Sequence, residues 1–370
     1  MMDEQVVLFA EDDTAFHVIA TALNGKPSQR AVNALHYFFG ENIENELNNL
    51  ISLPSVVGLP SGFRGVVCED EKDLPKLISG ADYLVVERPE ITYDLMKLGS
   101  KRLKFIQKHG NDYKNIDIKG ARKLGIPVAY LRRVSTVSAG EHVLALIFAL
   151  SRKLTQAHEA AKHRKNAKDD LRSEGPPRTK FNWGQIKNIQ LVQGSRLGLI
   201  GFGENGLEVA LAARRVGMEI LYYQRHKAAV DREKMVDARY IPTLNQLVKE
   251  ADFISIHVPY GPPTEKMINL EVLSNMRPSS FLINTSRGGI VDEGALYEVL
   301  KDNRIAGAGL DVYRWEPVPS DCPLLNLNNI TWTTHNAGGS LEGFEEARDV
   351  LTNILRVSKG EKPEFLIEVP

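Results

Sequence analysis

The sequence predicts an α/β protein whose parallel sheets are flanked by helices. Three observations predict it. From Gly194 onward, short apolar runs alternate with helical stretches, the pattern of strands buried on both faces. One apolar run leads directly into a glycine-rich turn that opens a helix. The 370 residues suffice for two or three domains at roughly 150 residues each.

Composition narrows the class. Lys and Arg total 46 against 47 Asp and Glu, so the net charge is −1, with 43% hydrophobic and 25% charged residues. These values suit a soluble globular protein and exclude a disordered chain or a collagen. A near-neutral chain projects no general field toward a nucleic-acid backbone or an anionic membrane, so neither partner is expected. Cys68 and Cys322 form no C-x-x-C pair and no disulfide framework. A reducing cytoplasm is the simplest compartment, and no metal site is expected. The N-terminus, MMDEQVVLFAEDD, shows no secretory signal. The longest apolar stretch, HVLALIFAL from His142 to Leu150, is about half of a ~20-residue membrane span and reads as a buried helix.

Taken in order, Gln5–Ala10, Ala81–Glu87 and Leu103–Gln107 are short apolar strand candidates, with a helical stretch at Asp94–Leu98. KGARKLGIPVAYL reads as a helix, a stop at Gly125 with Pro127 following, and a strand ending near Leu131. Ser138–Lys153 is a strongly apolar helix. Residues 162–180 carry seven Lys or Arg against three acids, plus Gly-Pro-Pro, and read as a solvated connection or a substrate-facing flap. Strands are then expected at Arg196–Gly201, Met218–Gln224, Asp252–Pro259, Ser280–Ser286, Ile305–Val312 and Asn329–His335. Helices are expected at Glu204–Val216, Pro242–Glu250, Leu270–Met276, Asp292–Asp302 and Leu341–Ser358.

Gly201-Phe202-Gly203-Glu204-Asn205-Gly206 fits G-x-G-x-x-G after the strand RLGLI. The first glycine permits a tight turn, the second admits a pyrophosphate to the backbone, and the third lets helix and strand pack closely. The helix N-terminus offers free N–H groups and a positive dipole end. The next strand should end in an acid that holds the adenosine ribose. Gln224 stands there, with Arg225, His226 and Lys227 after it. No carboxylate repels a 2′-phosphate, so NAD or NADP is expected, with a lean to NADP.

Gly201 to His335 resembles the D-isomer-specific 2-hydroxyacid dehydrogenase family. The resemblance is carried by SIHVPYGPPTEKMINLEVLSNMRPSSFLINTSRGGIVDEGAL, GAGLDVYRWEP and TTHNAGGS, in that order. YKNIDIKGARKLGIPVAYL and EHVLALIFALSRKL resemble the family's interdomain region. The resemblance implies two Rossmann-like or flavodoxin-like domains. Residues 1–137 with 340–370 form the catalytic domain, and 138–339 the NAD(P)-binding domain. The active site is expected in the interdomain cleft, and the protein as a homodimer. It further implies transfer of a hydride between nicotinamide and C2 of a 2-hydroxy or 2-keto acid.

The same resemblance assigns roles. Arg287 in NTSRGG grips the carboxylate, and the planar two-donor fork of arginine suits that task. His335 in TTHNAGG is the general acid and base, since imidazole gives and takes protons near neutrality. Glu316 in YRWEP pairs with it, and an acid beside a histidine orients the ring and favours its protonated form. Asp311 in GLDV holds the nicotinamide carboxamide. Val258, Pro259, Thr264, Thr285, Ser286, His335 and Gly338 are further coenzyme contacts. Gly110 and Asn111, in a loop offering N–H groups to the substrate carboxylate, and Arg88 in VERPEIT are substrate contacts. The loop departs from the family's G-x-G-x-D, with Asp112 and Lys114 at the second and third marked positions, and Thr334 stands where a proline often precedes the histidine. Glu141 and His142, adjacent on a helix, do not face each other and read as structural. Alternatives on this scaffold are a phosphite dehydrogenase and a dinucleotide-sensing binding protein resembling the C-terminal-binding-protein corepressors. Formate oxidation is disfavoured because formate dehydrogenases pair the histidine with glutamine.

Overall fold

The computed structural model describes residues 4–163, 181–339 and 344–368. The chain forms two compact units, Met1–Val134 with Ser340–Pro370, and Ser135–Gly339.

The first unit contains β1 (Gln5–Phe9), α1 (Thr14–Asn24), α2 (Gln29–Phe39), α3 (Glu44–Val57), β2 (Phe63–Val67) and α4 (Leu74–Leu77). It continues with β3 (Tyr83–Val86), α5 (Tyr93–Gly99), β4 (Phe105–Lys108), α6 (Ile118–Lys123) and β5 (Val128–Tyr130). The five strands are parallel in the order β2-β1-β3-β4-β5, the flavodoxin-like arrangement. The C-terminal helix, Glu345–Ser358, rejoins this unit and buries Val350, Leu351 and Ile354 in the core that holds Phe9 and Tyr83. Asn353 Nδ2 donates to Gln107 Oε1 on β4 at 2.8 Å.

Residues 11–80 carry elements that the sequence reading leaves unassigned. Pro54 reads as a helix stop yet lies within α3. Gly65 reads as a break in a strand. A Cβ there would meet Ala20 Cα at 2.9 Å, so the glycine lets α1 lie against β2.

The second unit contains α7 (Val134–Ser151), α8 (Leu154–Lys162), β6 (Arg196–Ile200), α9 (Glu204–Arg215), β7 (Glu219–Tyr223), α10 (Val230–Val236) and β8 (Arg239–Tyr240). It goes on with α11 (Leu244–Glu250), β9 (Phe253–Ile256), α12 (Leu270–Ser274), β10 (Phe281–Asn284), α13 (Glu293–Lys301), β11 (Gly307–Leu310) and β12 (Ile330–Trp332). Seven parallel strands run in the order β12-β11-β10-β9-β6-β7-β8. Each side of this sheet has its own core, Ile200, Ile254 and Leu282 on one, Leu199, Phe253 and Ile283 on the other. Strand order reverses between β6 and β9, the place where such sheets bind ligands.

Helices α11 and α13 are two residues shorter than expected, because Thr243 and Asp292 cap them rather than belonging to them, and β9 to β12 are three or four residues shorter than expected. The short, charged α10 and the two-residue β8 carry little apolar signal and escape the sequence reading. Helix α7 starts at Val134 instead of Ser138. Among the described residues it alone is long and apolar enough to cross a membrane. Val143, Leu146, Ile147 and Leu150 nevertheless lie buried in the core of the second unit. The basic segment 162–180 falls outside the described residues from position 164, as does Leu341 at the expected start of the last helix.

Candidate functional site

The phosphate loop is built by close backbone approaches. Gly201 has φ +97°, and a Cβ on it would meet the His257 carbonyl oxygen at 2.6 Å. A Cβ on Gly206 would lie 2.4 Å from the Gly201 carbonyl oxygen. Gly203 caps α9, and a Cβ there meets nothing within 4 Å. The loop is therefore tight on its protein side and open where the helix starts, with Glu204 and Asn205 in the first turn. That arrangement fits a dinucleotide pyrophosphate.

Gln224 does not stand free at the end of β7. Its Oε1 accepts the Phe202 N–H at 3.2 Å and its Nε2 donates to the His226 carbonyl at 2.7 Å. It braces the phosphate loop. Lys227 pairs with Glu233 at 3.4 Å, whereas Arg225 and His226 have no carboxylate partner among the described residues. On the β9 and β10 side, Ser286 donates to the Val258 carbonyl at 2.6 Å, and Thr264 to the Pro259 carbonyl at 2.6 Å. Thr285 follows β10 directly.

Arg287, Glu316 and His335 line one cavity of about 710 Å³ in the second unit, together with Tyr260, Arg314 and Trp315. Arg287 extends from the end of β10, and no carboxylate pairs with it among the described residues; its Nη1 donates to the Ser286 carbonyl at 2.6 Å. The glycine after it is a steric requirement, because a Cβ on Gly288 would lie 1.9 Å from the Tyr313 carbonyl carbon. That approach sets the arginine beside the loop that bears Glu316. His335 Nδ1 lies 2.6 Å from Glu316 Oε2, and Glu316 Oε1 accepts the Tyr313 N–H at 2.9 Å. One carboxylate thus holds both the imidazole and its own loop. The His335 side chain keeps 35% of its surface exposed, so its other ring nitrogen remains reachable.

Asp311 is fully buried, and its carboxylate accepts the N–H groups of Asn336 and Ala337, both at 3.0 Å. These bonds tie Asp311 to the turn that follows His335. Gly338 lies just beyond this turn and is exposed. Thr333 and Tyr313, which hold the same turn, were not singled out from the sequence; a hydroxyl one or two residues from the motif was the available signal.

In the first unit Arg88 is committed. Its guanidinium bonds Glu11 and reaches Asp13 at 3.4 Å, while the Glu11 carboxylate also accepts the N–H groups of Glu87 and Arg88 at 2.9 and 2.7 Å. Gly110, with φ +104°, and the half-buried Asn111 follow β4. His109, just before them, is buried, with Nε2 3.0 Å from Glu346 and Nδ1 3.5 Å from Glu87. Burial opposes its charge, but the two carboxylates prevail and raise it to about 9. Burial likewise opposes the Glu87 charge, and His109 and Arg133 overcome it, lowering that carboxyl to about 2.

A family model described as "D-isomer specific 2-hydroxyacid dehydrogenase, NAD binding domain" matches residues 144–337. The chain is 37% identical over 268 residues to a glyoxylate reductase of Korarchaeum cryptofilum, covering 72% of this chain and 76% of that one. It is 33% identical over 306 residues to a glyoxylate reductase of Thermococcus litoralis, covering 82% and 86%. An NADPH-dependent glyoxylate/hydroxypyruvate reductase from Sinorhizobium meliloti, solved with citrate, shares the fold, with a TM-score of 0.53, 23% identity and coverage of 98% and 97%.

Proposed function

The chain belongs to the D-isomer-specific 2-hydroxyacid dehydrogenase family, and from that premise we propose that it reduces small 2-keto acids to 2-hydroxy acids through Arg287, Glu316 and His335. The observation that carries the reading is the 2.6 Å His335–Glu316 pair on the cavity that Arg287 also lines.

A nicotinamide coenzyme held at the Gly201–Gly206 loop would supply the hydride for substrate C2. Arg287 binds the substrate carboxylate through two N–H donors and draws electron density from the adjacent carbonyl. Glu316 accepts a hydrogen bond from the Nδ1–H of His335, which leaves Nε2 to face the substrate. In its doubly protonated form His335 gives the Nε2 proton to the carbonyl oxygen as C2 becomes tetrahedral. Oxidation of the hydroxy acid reverses each transfer, with neutral His335 taking the hydroxyl proton.

The coenzyme is NADPH in preference to NADH. Gln224 is tied to Phe202 and His226 and presents no carboxylate, and Arg225 follows without a carboxylate partner among the described residues. The assembly is a homodimer, which the exposed Leu154, Phe181, Trp183 and Leu191 of the second unit support.

The test follows nicotinamide absorbance with purified protein, using NADH and NADPH separately against glyoxylate, hydroxypyruvate, pyruvate and bulkier 2-keto acids. Turnover that is lost in Arg287→Ala supports the reductase. A full rate in that variant removes the assigned role. Coenzyme binding without turnover across the panel favours the dinucleotide-sensing protein.

A further inference from the structure

We infer that His142 is a positioning residue that holds the His335 turn in register, an inference that rests on the reductase reading. From sequence, Glu141 and His142 do not face each other and read as structural. In the structure Glu141 is exposed, while His142 Nε2 lies 3.0 Å from Thr333 Oγ1 and 3.5 Å from Asp311 Oδ1.

The direction of these bonds follows from the donor inventory. Thr333 Oγ1 is 2.6 Å from Asp311 Oδ1, and an ionised carboxylate only accepts. The hydroxyl proton therefore points at Asp311. The hydroxyl must in turn accept from His142, so Nε2 carries a proton. Asp311 also takes the N–H groups of Asn336 and Ala337, the two residues after His335, and its carbonyl accepts the His335 N–H at 2.8 Å.

His335 itself has φ +57°, a left-handed backbone uncommon for a non-glycine residue. A hydrogen-bond network starts at His142 on α7 and passes through Thr333 and Asp311 to this turn. Without the His142 donor, Thr333 keeps only its bond to Asp311, the buried carboxylate loses the imidazole 3.5 Å away, and the His335 turn is held less firmly in its aim at Glu316.

Two variants separate this role from packing. His142→Leu fills the space without a donor; His142→Gln places an amide N–H at similar reach. The readouts are kcat, KM, coenzyme affinity and the NMR resonance of the His335 Nδ1 proton bonded to Glu316. We expect His142→Leu to lose about tenfold to a hundredfold in kcat with coenzyme affinity unchanged, and to broaden that resonance. His142→Gln should restore kcat to within about threefold of the wild type and recover the signal. Unchanged kcat and resonance in His142→Leu overturns the inference, as does a His142→Gln protein as impaired as His142→Leu. If the wild-type protein reduces no 2-keto acid, the reductase reading fails on its own. The resonance then decides, and its persistence in His142→Leu sinks the positioning role.

Discussion

Glu316 does two things with two oxygens, one on the His335 ring and one on the Tyr313 N–H. Glu316→Gln keeps a group of the same shape but removes the charge that favours protonated His335. We expect kcat to fall about tenfold to a hundredfold while coenzyme affinity stays as it was. Steady-state kinetics with a coenzyme titration checks this, and a wild-type kcat would remove the carboxylate from proton transfer. Arg287, Glu316 and His335 were readable as candidates because each sits in a short motif that carries the family resemblance; that they line one cavity is a fact of the fold. The bonds of Arg88 to Glu11 and Asp13 were not readable, because those partners lie 77 and 75 residues away in the chain. The donor network behind His335 was equally hidden. His142 and Thr333 are 191 residues apart in the chain and meet only in the folded second unit.

At the scale of the element, the phosphate loop separates two uses of glycine. Gly206 is needed for packing of α9 on β6, since its Cβ would press on the Gly201 carbonyl at 2.4 Å. Gly203 has open space around it and ordinary backbone angles, φ −80°. Gly206→Ala should therefore lower the unfolding midpoint by about 5 °C or more and weaken coenzyme binding. Gly203→Ala should leave the midpoint alone and weaken coenzyme binding more than about tenfold, because the added methyl occupies the approach to the helix N-terminus. Thermal unfolding and coenzyme fluorescence, run on both variants, check the contrast. The glycine motif and its strand–helix setting were legible in sequence. The role of Gln224 as a brace between Phe202 and His226 was not, because a ribose-side residue and a loop brace share one sequence position.

For the whole molecule, the His109 cluster ties stability to pH. It joins the ends of β3 and β4 to the first turn of the C-terminal helix through Glu87 and Glu346. The folded value of His109, about 9, lies above its ordinary 6.5. Folding is thus stabilised fully below pH 6.5, and that contribution fades as pH rises through about 9. Glu87 runs the other way. Its folded value, about 2, lies below the usual 4.5, so its contribution is present above pH 4.5 and lost as pH falls through about 2. Urea unfolding of the first unit should show a falling midpoint between pH 6.5 and 9, and a His109→Gln protein should lack that slope. An identical slope in the variant would assign the effect elsewhere.

By itself the sequence determined the α/β class and the glycine-rich turn that opens a helix, because strand–helix alternation and short motifs are local properties of the chain. Tertiary structure decided the helices of residues 11–80, the commitment of Arg88 and the support beneath His335. Gly65 signals a break locally, and only its close approach to Ala20 shows why it stands within a strand. A histidine's role is likewise set by what it faces, and a fold that brings α7 beneath the β12 turn sets what His142 faces.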